Sequence, residues 1–290
     1  MFVVMGATGQ TGGAALRELQ RRGAKVRAIT RDPRRASLPE GVDVAGGDPT
    51  DSSSLRAAFA GAEAVYVMLP NFPEAQDALA GSRMAAQAIA NAVREARVPC
   101  VVALSSGGAH LADGTGMIRT LYDFEKALRG TAASITFLRA GDFMENWAPA
   151  LPVARSEGAL PSGRMPLDAP METVSTEDIG RTAAALMLER VAGERIVNLL
   201  GPQDYSPLDA AAALSRLLDR PVTAVPGSRD DTIAALLTMG ASRDYAEKVA
   251  EITDGLNAGR IFFEPVGEKR RGDVTLEQAL ERLLAGSASR

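Results

Sequence analysis

A tyrosine and a lysine four residues apart, Tyr122 and Lys126 in the stretch TLYDFEKAL, would share one face of a helix. An ammonium beside a phenol lowers the phenol pKa from about 10 and orients its proton, the arrangement that protonates an alkoxide forming from a carbonyl. Ser105 or Ser106, at the end of CVVALSS, would complete a ketone-reducing triad. His110 is the single histidine and lies in a glycine-rich loop, where a solvated imidazole is the plain reading. Cys100 is the single cysteine, so an internal disulfide and a multi-cysteine metal site are excluded, and one histidine excludes a paired-His zinc motif. No metal is expected, and a reducing compartment fits.

A second set of residues has the chemistry of binding. In GATGQTGG, Gly6, Gly9 and Gly12 recur at every third position, behind the apolar run FVVM and ahead of a helical pattern carrying Leu16 and Leu19. One glycine permits the sharp turn at a strand end, one lets the backbone approach a pyrophosphate, and one lets helix and strand pack closely. The phosphate would rest on the helix N-terminus. The spacing GxxGxxG is a variant of the GxGxxG dinucleotide fingerprint. After the second strand-like run, KVRAIT, come Arg31, Asp32, Pro33, Arg34 and Arg35. Arginine at this point suits a ribose 2′-phosphate, so NADPH is expected over NADH, with Asp32 offering the competing contact to free ribose hydroxyls. Asp48, in GGDPTD, either meets the adenine amino group or is a turn residue before a helix near Ser52.

The elements that must hold these residues follow from hydrophobic patterning. Apolar runs over 2–5, 25–30, 42–45, 64–69, 100–104 and 135–138 alternate with segments of helical period. Strands apolar on both faces and separated by helices imply a parallel sheet with right-handed crossovers, a doubly wound α/β fold. At 290 residues and 46% hydrophobic the chain can bury a full core. We expect a nucleotide-binding domain over 1–150 and a smaller α/β substrate region over 151–290, of which about 172–200 and 275–286 pack back on the first. A net charge of -4 leaves no basic footprint for direct nucleic-acid binding. The absence of a basic leader and of any apolar run of roughly 18 residues argues against secretion and membrane spanning, and a cytoplasmic protein is expected.

Taken together, GATGQTG, TRDP, GD, LSS, FLRAGDFMENW, VSTEDIGRTAAALM and LLGPQDYSPLDAAAALSRLLDRPV resemble the NmrA-like branch of the atypical short-chain dehydrogenases/reductases, over nearly the whole chain. The resemblance implies a Rossmann fold and a set of cofactor contacts. Gly6, Thr8, Gly9, Gln10, Thr11 and Gly12 would take the pyrophosphate, Arg31 with Arg34 or Arg35 the 2′-phosphate, and Asp48 the adenine. Leu69, Pro70 and Asn71 would line the ribose and nicotinamide side, Ser105 would be a further contact, and Phe143 to Asn146 would approach the nicotinamide. Related reductases place the catalytic lysine about 17 residues before the arginine of the LRAG segment, here Arg139. That register points to Tyr122 itself or its neighbour, puts Lys126 about a helical turn too late and puts the tyrosine's slot near Ile118.

Members of this branch include NADPH-dependent quinone reductases and NADP-binding regulators that act through a protein partner. The expectation is hydride transfer to a quinone-like or other small acceptor, and the alternative is a redox sensor without turnover. A homodimer or a regulatory partner would fit either. A quinone, unlike a ketone, needs no strong acid in the site, because hydride addition gives a stabilised phenolate. The second half supplies a pocket: irregular walls over 148–170, a helix started by Thr176, another at Ser206–Pro207, a lid-like stretch between Thr232 and Leu256 that includes Met239, and a helix with a Thr275–Gln278 capping box.

Overall fold

Strand and helix alternate from the first residues onward in the computed structural model, which describes residues 1–287. The first half runs β1 (Phe2–Met5), α1 (Gln10–Arg21), β2 (Val26–Thr30), β3 (Asp43–Gly46), α2 (Ser52–Phe59), β4 (Ala64–Val67), α3 (Ala80–Glu95), β5 (Cys100–Ser106), α4 (Arg119–Leu128) and β6 (Ser134–Ala140). The second half adds β7 (Asp142–Phe143), α5 (Leu151–Glu157), β8 (Ala159–Ser162), β9 (Thr173–Val174), α6 (Thr176–Glu189) and β10 (Gly193–Leu200). It ends with α7 (Pro207–Leu218), β11 (Thr223–Pro226), α8 (Arg229–Thr238), α9 (Arg243–Asn257), β12 (Glu268–Arg271) and α10 (Leu276–Ser287).

Eight parallel strands form one sheet in the order β12-β10-β6-β5-β4-β1-β2-β3, a Rossmann-like α/β fold. The order reverses between β1 and β4, and in open α/β sheets the crevice above such a switch point is where ligands bind. Val4, Tyr66, Val102 and Leu138 turn one sheet face toward α1 and α6. Val3, Val65, Val101 and Phe137 turn the other toward α2, α3 and α4. Each central strand is therefore buried on both faces, which is why these runs read as continuous apolar segments.

Helix α6 packs tightly on α1, since a Cβ on Gly180 would stand 2.3 Å from the Ala14 Cβ. With β10 and β12 it joins the sheet domain, although all three come from the second half of the chain. A third core gathers Met144, Leu151, Leu214, Val222 and Leu280. The helix expected at 275–286 carries the Thr275–Gln278 capping box, and its apolar face belongs to this third core beside α7 rather than to the sheet. Residues 288–290 of the expected second region lie outside the described residues.

Several details differ from the sequence expectation for local reasons. The stretch between Thr232 and Leu256 is two helices, because Ser242 caps a new one with its side chain on the Tyr245 N–H. Helix α6 is capped by Ser175, one residue before Thr176, through the Asp178 N–H. The expected irregular walls over 148–170 contain α5 and β8, the latter paired with β11.

Candidate functional site

The loop leaving β1 turns on glycines at two positions where the structure leaves no room for a side chain. Gly6 adopts φ +63°, and a Cβ there would lie 2.6 Å from the Met68 sulfur. A Cβ on Gly12 would lie 2.3 Å from the Gly6 carbonyl oxygen and 2.7 Å from that of Met5, so only glycine lets α1 start this close to the strand. Gly9 is the N-cap of α1 and donates its N–H to the Gly6 carbonyl at 2.8 Å. No side chain caps the helix and no acidic residue occupies its first turn. Its leading N–H groups and the positive end of its dipole are thus left facing the crevice, an anion site by construction.

In front of this helix end is a cleft of 940 Å³, above the C-terminal ends of β1 to β4. It brings together Gly6, Thr8, Gly9, Gln10 and Thr11 from the first loop, Arg31 and Arg35 from the second, Asp48 from the third, and Leu69, Pro70 and Asn71 from the fourth. The sequence reading missed Met68 and Phe72, which also line it, and the apolar type of both gave no signal of a ligand wall. Asp32 lies in the same wall, its carboxylate accepting the Arg34 backbone N–H at 3.1 Å. Among the described residues, the guanidiniums of Arg31, Arg34 and Arg35 make no ion pair, and all three side chains are exposed. Arg34 lies outside the cleft lining. Asp48 accepts both the N–H and the hydroxyl of Thr50, at 2.8 and 2.7 Å. Those bonds hold its carboxyl below the usual range, with Arg31 adding to the effect. Asp51, at the end of the same turn, is the cap of α2.

Other expected site residues are arranged differently. Gly12 is buried beneath the loop, where it sets the packing rather than a wall. Phe143 is half-buried against the core around α1 and α6. The Asn146 amide donates to Asp142 at 2.7 Å, while its neighbour Glu145 accepts the Thr176 N–H at 3.0 and 3.1 Å at the start of α6. Burial raises the Glu145 carboxyl above its ordinary value.

Tyr122, Lys126 and Ser105 are not brought into mutual hydrogen-bonding distance. The Ser105 hydroxyl donates to Glu125 at 2.6 Å. The Tyr122 ring lies 5.3 Å from the Arg119 guanidinium, and Lys126 is exposed with no ion-pair partner among the described residues. Helical spacing explains the outcome, since the face of α4 turned to the sheet carries Phe124, Glu125 and Leu128. Glu125 is clamped by Arg139, which donates to its two oxygens at 2.9 and 2.8 Å and to Glu264 at 2.9 Å. These partners are 14 and 125 residues from Arg139, and no local pattern links them. His110 rests edge-on against Phe262 with ring centroids 4.9 Å apart, and burial pushes its pKa down.

Comparison with known proteins bears on this geometry. Residues 1–260 match the NmrA-like family. The chain belongs to that family. Among its curated relatives is an NAD(P)H azoreductase of Xenophilus azovorans, 27% identical over 255 residues, or 87% of this chain and 86% of the relative. Another is a (4-alkanoyl-5-oxo-2,5-dihydrofuran-3-yl)methyl phosphate reductase of Streptomyces griseus, 31% identical over 227 residues, 77% of this chain and 75% of the relative. Among solved structures, an NADPH-dependent quinone oxidoreductase of Escherichia coli in complex with NADPH superposes with a TM-score of 0.79 at 23% identity, covering 98% of this chain and all of that one. The fold of this chain thus recurs in that structure.

Proposed function

We propose that this NmrA-like protein is an NADPH-dependent oxidoreductase that reduces a quinone-like or other small acceptor. One observation carries the reading: the uncapped start of α1 and the unpaired guanidiniums of Arg31 and Arg35 face the same cleft. Those groups match a pyrophosphate and a ribose 2′-phosphate respectively, each through charge-assisted hydrogen bonds. The bare cradle at Gly6 and Gly12 fits a close-lying diphosphate for the same reason that it excludes a Cβ.

When bound, the reduced nicotinamide supplies a hydride, and with one proton from water a quinone becomes a hydroquinone while the cofactor is oxidised. The protein's part is to hold, orient and desolvate the reactants. Leu69 and Pro70 offer apolar surface at the β4 end of the cleft, where the ring end of the dinucleotide would lie, and Asn71 offers an amide to it. The neighbour named for a quinone supports an acceptor whose hydride adduct is a resonance-stabilised phenolate, so no buried acid is required. The engagement of Ser105 with Glu125 agrees with a site that does not use a serine–tyrosine–lysine triad.

The test is NADPH oxidation on adding a panel of benzo- and naphthoquinones and an azo dye. Turnover with at least one acceptor, saturable in both reactants, is expected. Saturable NADPH binding with no turnover on any acceptor would assign the protein instead to sensing the cofactor for a protein partner.

A further inference from the structure

Two of the ten methionines, Met5 and Met68, line the candidate cofactor cleft. Met5 is 5% exposed and belongs to the core beneath α2, α3 and α4, whereas Met68 is half-buried. Met68 directly follows β4, and its sulfur is the part that meets the loop after β1. A Cβ on Gly6 would lie 2.6 Å from that sulfur, but 3.7 and 3.9 Å from the Met68 Cγ and Cε. The Thr11 hydroxyl, in the first turn of α1, lies 4.0 Å from the same sulfur. The thioether therefore fills the space that a side chain on Gly6 would take, and it does so in the wall where the diphosphate is assigned.

A thioether is a soft, apolar wall that a hydroperoxide converts into a polar sulfoxide. The sulfur attacks the terminal oxygen of the hydroperoxide and gives up two electrons. The S–O bond forms as the O–O bond breaks, and the proton passes to the leaving oxygen, which departs as water or an alcohol. At Met68 the added oxygen would oppose a cofactor in two ways. With the sulfur already against Gly6, the new atom has to displace the Gly6–Thr11 loop or project into the cleft. It also brings partial negative charge and a strong acceptor to the Thr11 hydroxyl and to the helix end assigned to an anion.

The other sulfurs lack this combination of access and position. Met84, on α3, and Met239, at the end of α8, are 60% and 63% exposed but do not line the cleft. Met144 and Met187 are fully buried. Cys100, the single thiol, is buried in β5, and that burial raises its pKa, so it offers a peroxide little thiolate.

We infer that Met68 is a redox switch on the cofactor cleft: a hydroperoxide oxidises its sulfur when the cleft is empty, the sulfoxide closes the site to the dinucleotide, and a bound dinucleotide shields the sulfur. The inference rests on the reading of the cleft given under Proposed function. Methionine sulfoxide reductases reverse the change.

The test treats the full chain with hydrogen peroxide, with and without saturating NADP⁺, and then removes both. Peptide mass spectrometry reads oxidation at each methionine, and calorimetry reads NADPH binding. Met68 is expected to be oxidised in the cofactor-free protein and spared under NADP⁺, while Met84 and Met239 react alike in both. In the wild type, the fraction of molecules that bind NADPH normally should fall in step with the fraction of Met68 oxidised, the oxidised molecules binding at least about tenfold more weakly, and should recover after methionine sulfoxide reductase treatment. Met68→Leu, compared with its own untreated sample, should keep its affinity through the same treatment. Met68 left intact while Met84 and Met239 are fully oxidised would overturn the inference and leave the cofactor reading standing. Normal binding after complete oxidation of Met68 would do the same, as would an equal loss of binding in treated Met68→Leu. An untreated wild type that binds no NADPH would overturn both.

Discussion

Two strand-to-helix junctions of the same sheet treat their polar groups in opposite ways. After β1, the loop from Gly6 to Gly12 leaves the first N–H groups of α1 without a side-chain cap, and the nearby guanidiniums of Arg31 and Arg35 make no ion pair among the described residues. Where β5 and β6 end, Ser105, Glu125, Arg139 and Glu264 are hydrogen-bonded to one another, with Arg139 only 1% exposed. Polar groups already paired inside the protein hold structure, whereas groups left open at a crevice are available to a ligand. By that criterion the first junction is the candidate binding site and the second is a brace.

Substitutions at the two junctions sharpen the contrast. The largest effect on stability belongs to the brace. Arg139→Ala leaves the buried Glu125 carboxylate without its clamp and should cost about 3–5 kcal/mol in chemical denaturation. Gly12→Ala should destabilise by about 1–3 kcal/mol, because its Cβ would meet the Gly6 carbonyl at 2.3 Å, and should abolish measurable cofactor binding. An Arg139→Ala protein as stable as wild type, or a Gly12→Ala protein that binds NADPH normally, would break the comparison. Next in size, Arg31→Ala should weaken NADPH about tenfold with no effect on NADH or on Tm, if this exposed guanidinium of the cleft wall takes the 2′-phosphate as proposed.

The smallest effect lies at the far end of α1, which is clamped where its start is bare. Glu18 accepts Arg21 at 2.7 and 2.8 Å and Arg22 at 2.7 Å, and these hydrogen bonds, Arg21 first, pull its carboxyl down from 4.5 to about 2. A carboxyl depressed by folding stabilises the native state above its unfolded pKa and loses that contribution as pH falls from about 4.5 to 2. With both arginines facing water the contribution is about 1 kcal/mol. Glu18→Gln should therefore lower stability by that amount at pH 7, and the difference should vanish near pH 2.

What the sequence made legible follows from the range of the interactions. The loop of Gly6, Gly9 and Gly12 and the six strands of the first half rest on neighbours within a few residues, so their types declare their structure. The Ser206–Pro207 start of α7 is equally local, and the structure adds the Asp209 half of a capping box there. β12 was hidden, because its residues Glu268 to Arg271 are all charged and show none of the apolar patterning that marks the other strands, although they pair in parallel with β10 at the sheet edge. The brace was hidden too, since Glu264 comes to Arg139 from 125 residues away. The motif Tyr-x-x-x-Lys read as chemistry because spacing says which side chains share a face, but not which face turns to the sheet. On α4 the face turned inward carries Glu125.

The account stands most directly on a calorimetric titration of the full chain with NADPH and, separately, with NADH. It predicts saturable one-to-one binding of both, with NADPH at least about tenfold tighter through its 2′-phosphate. Failure of either dinucleotide to bind would contradict the reading of the Gly6–Gly12 loop, and equal affinity for the two would contradict the part assigned to Arg31 and Arg35.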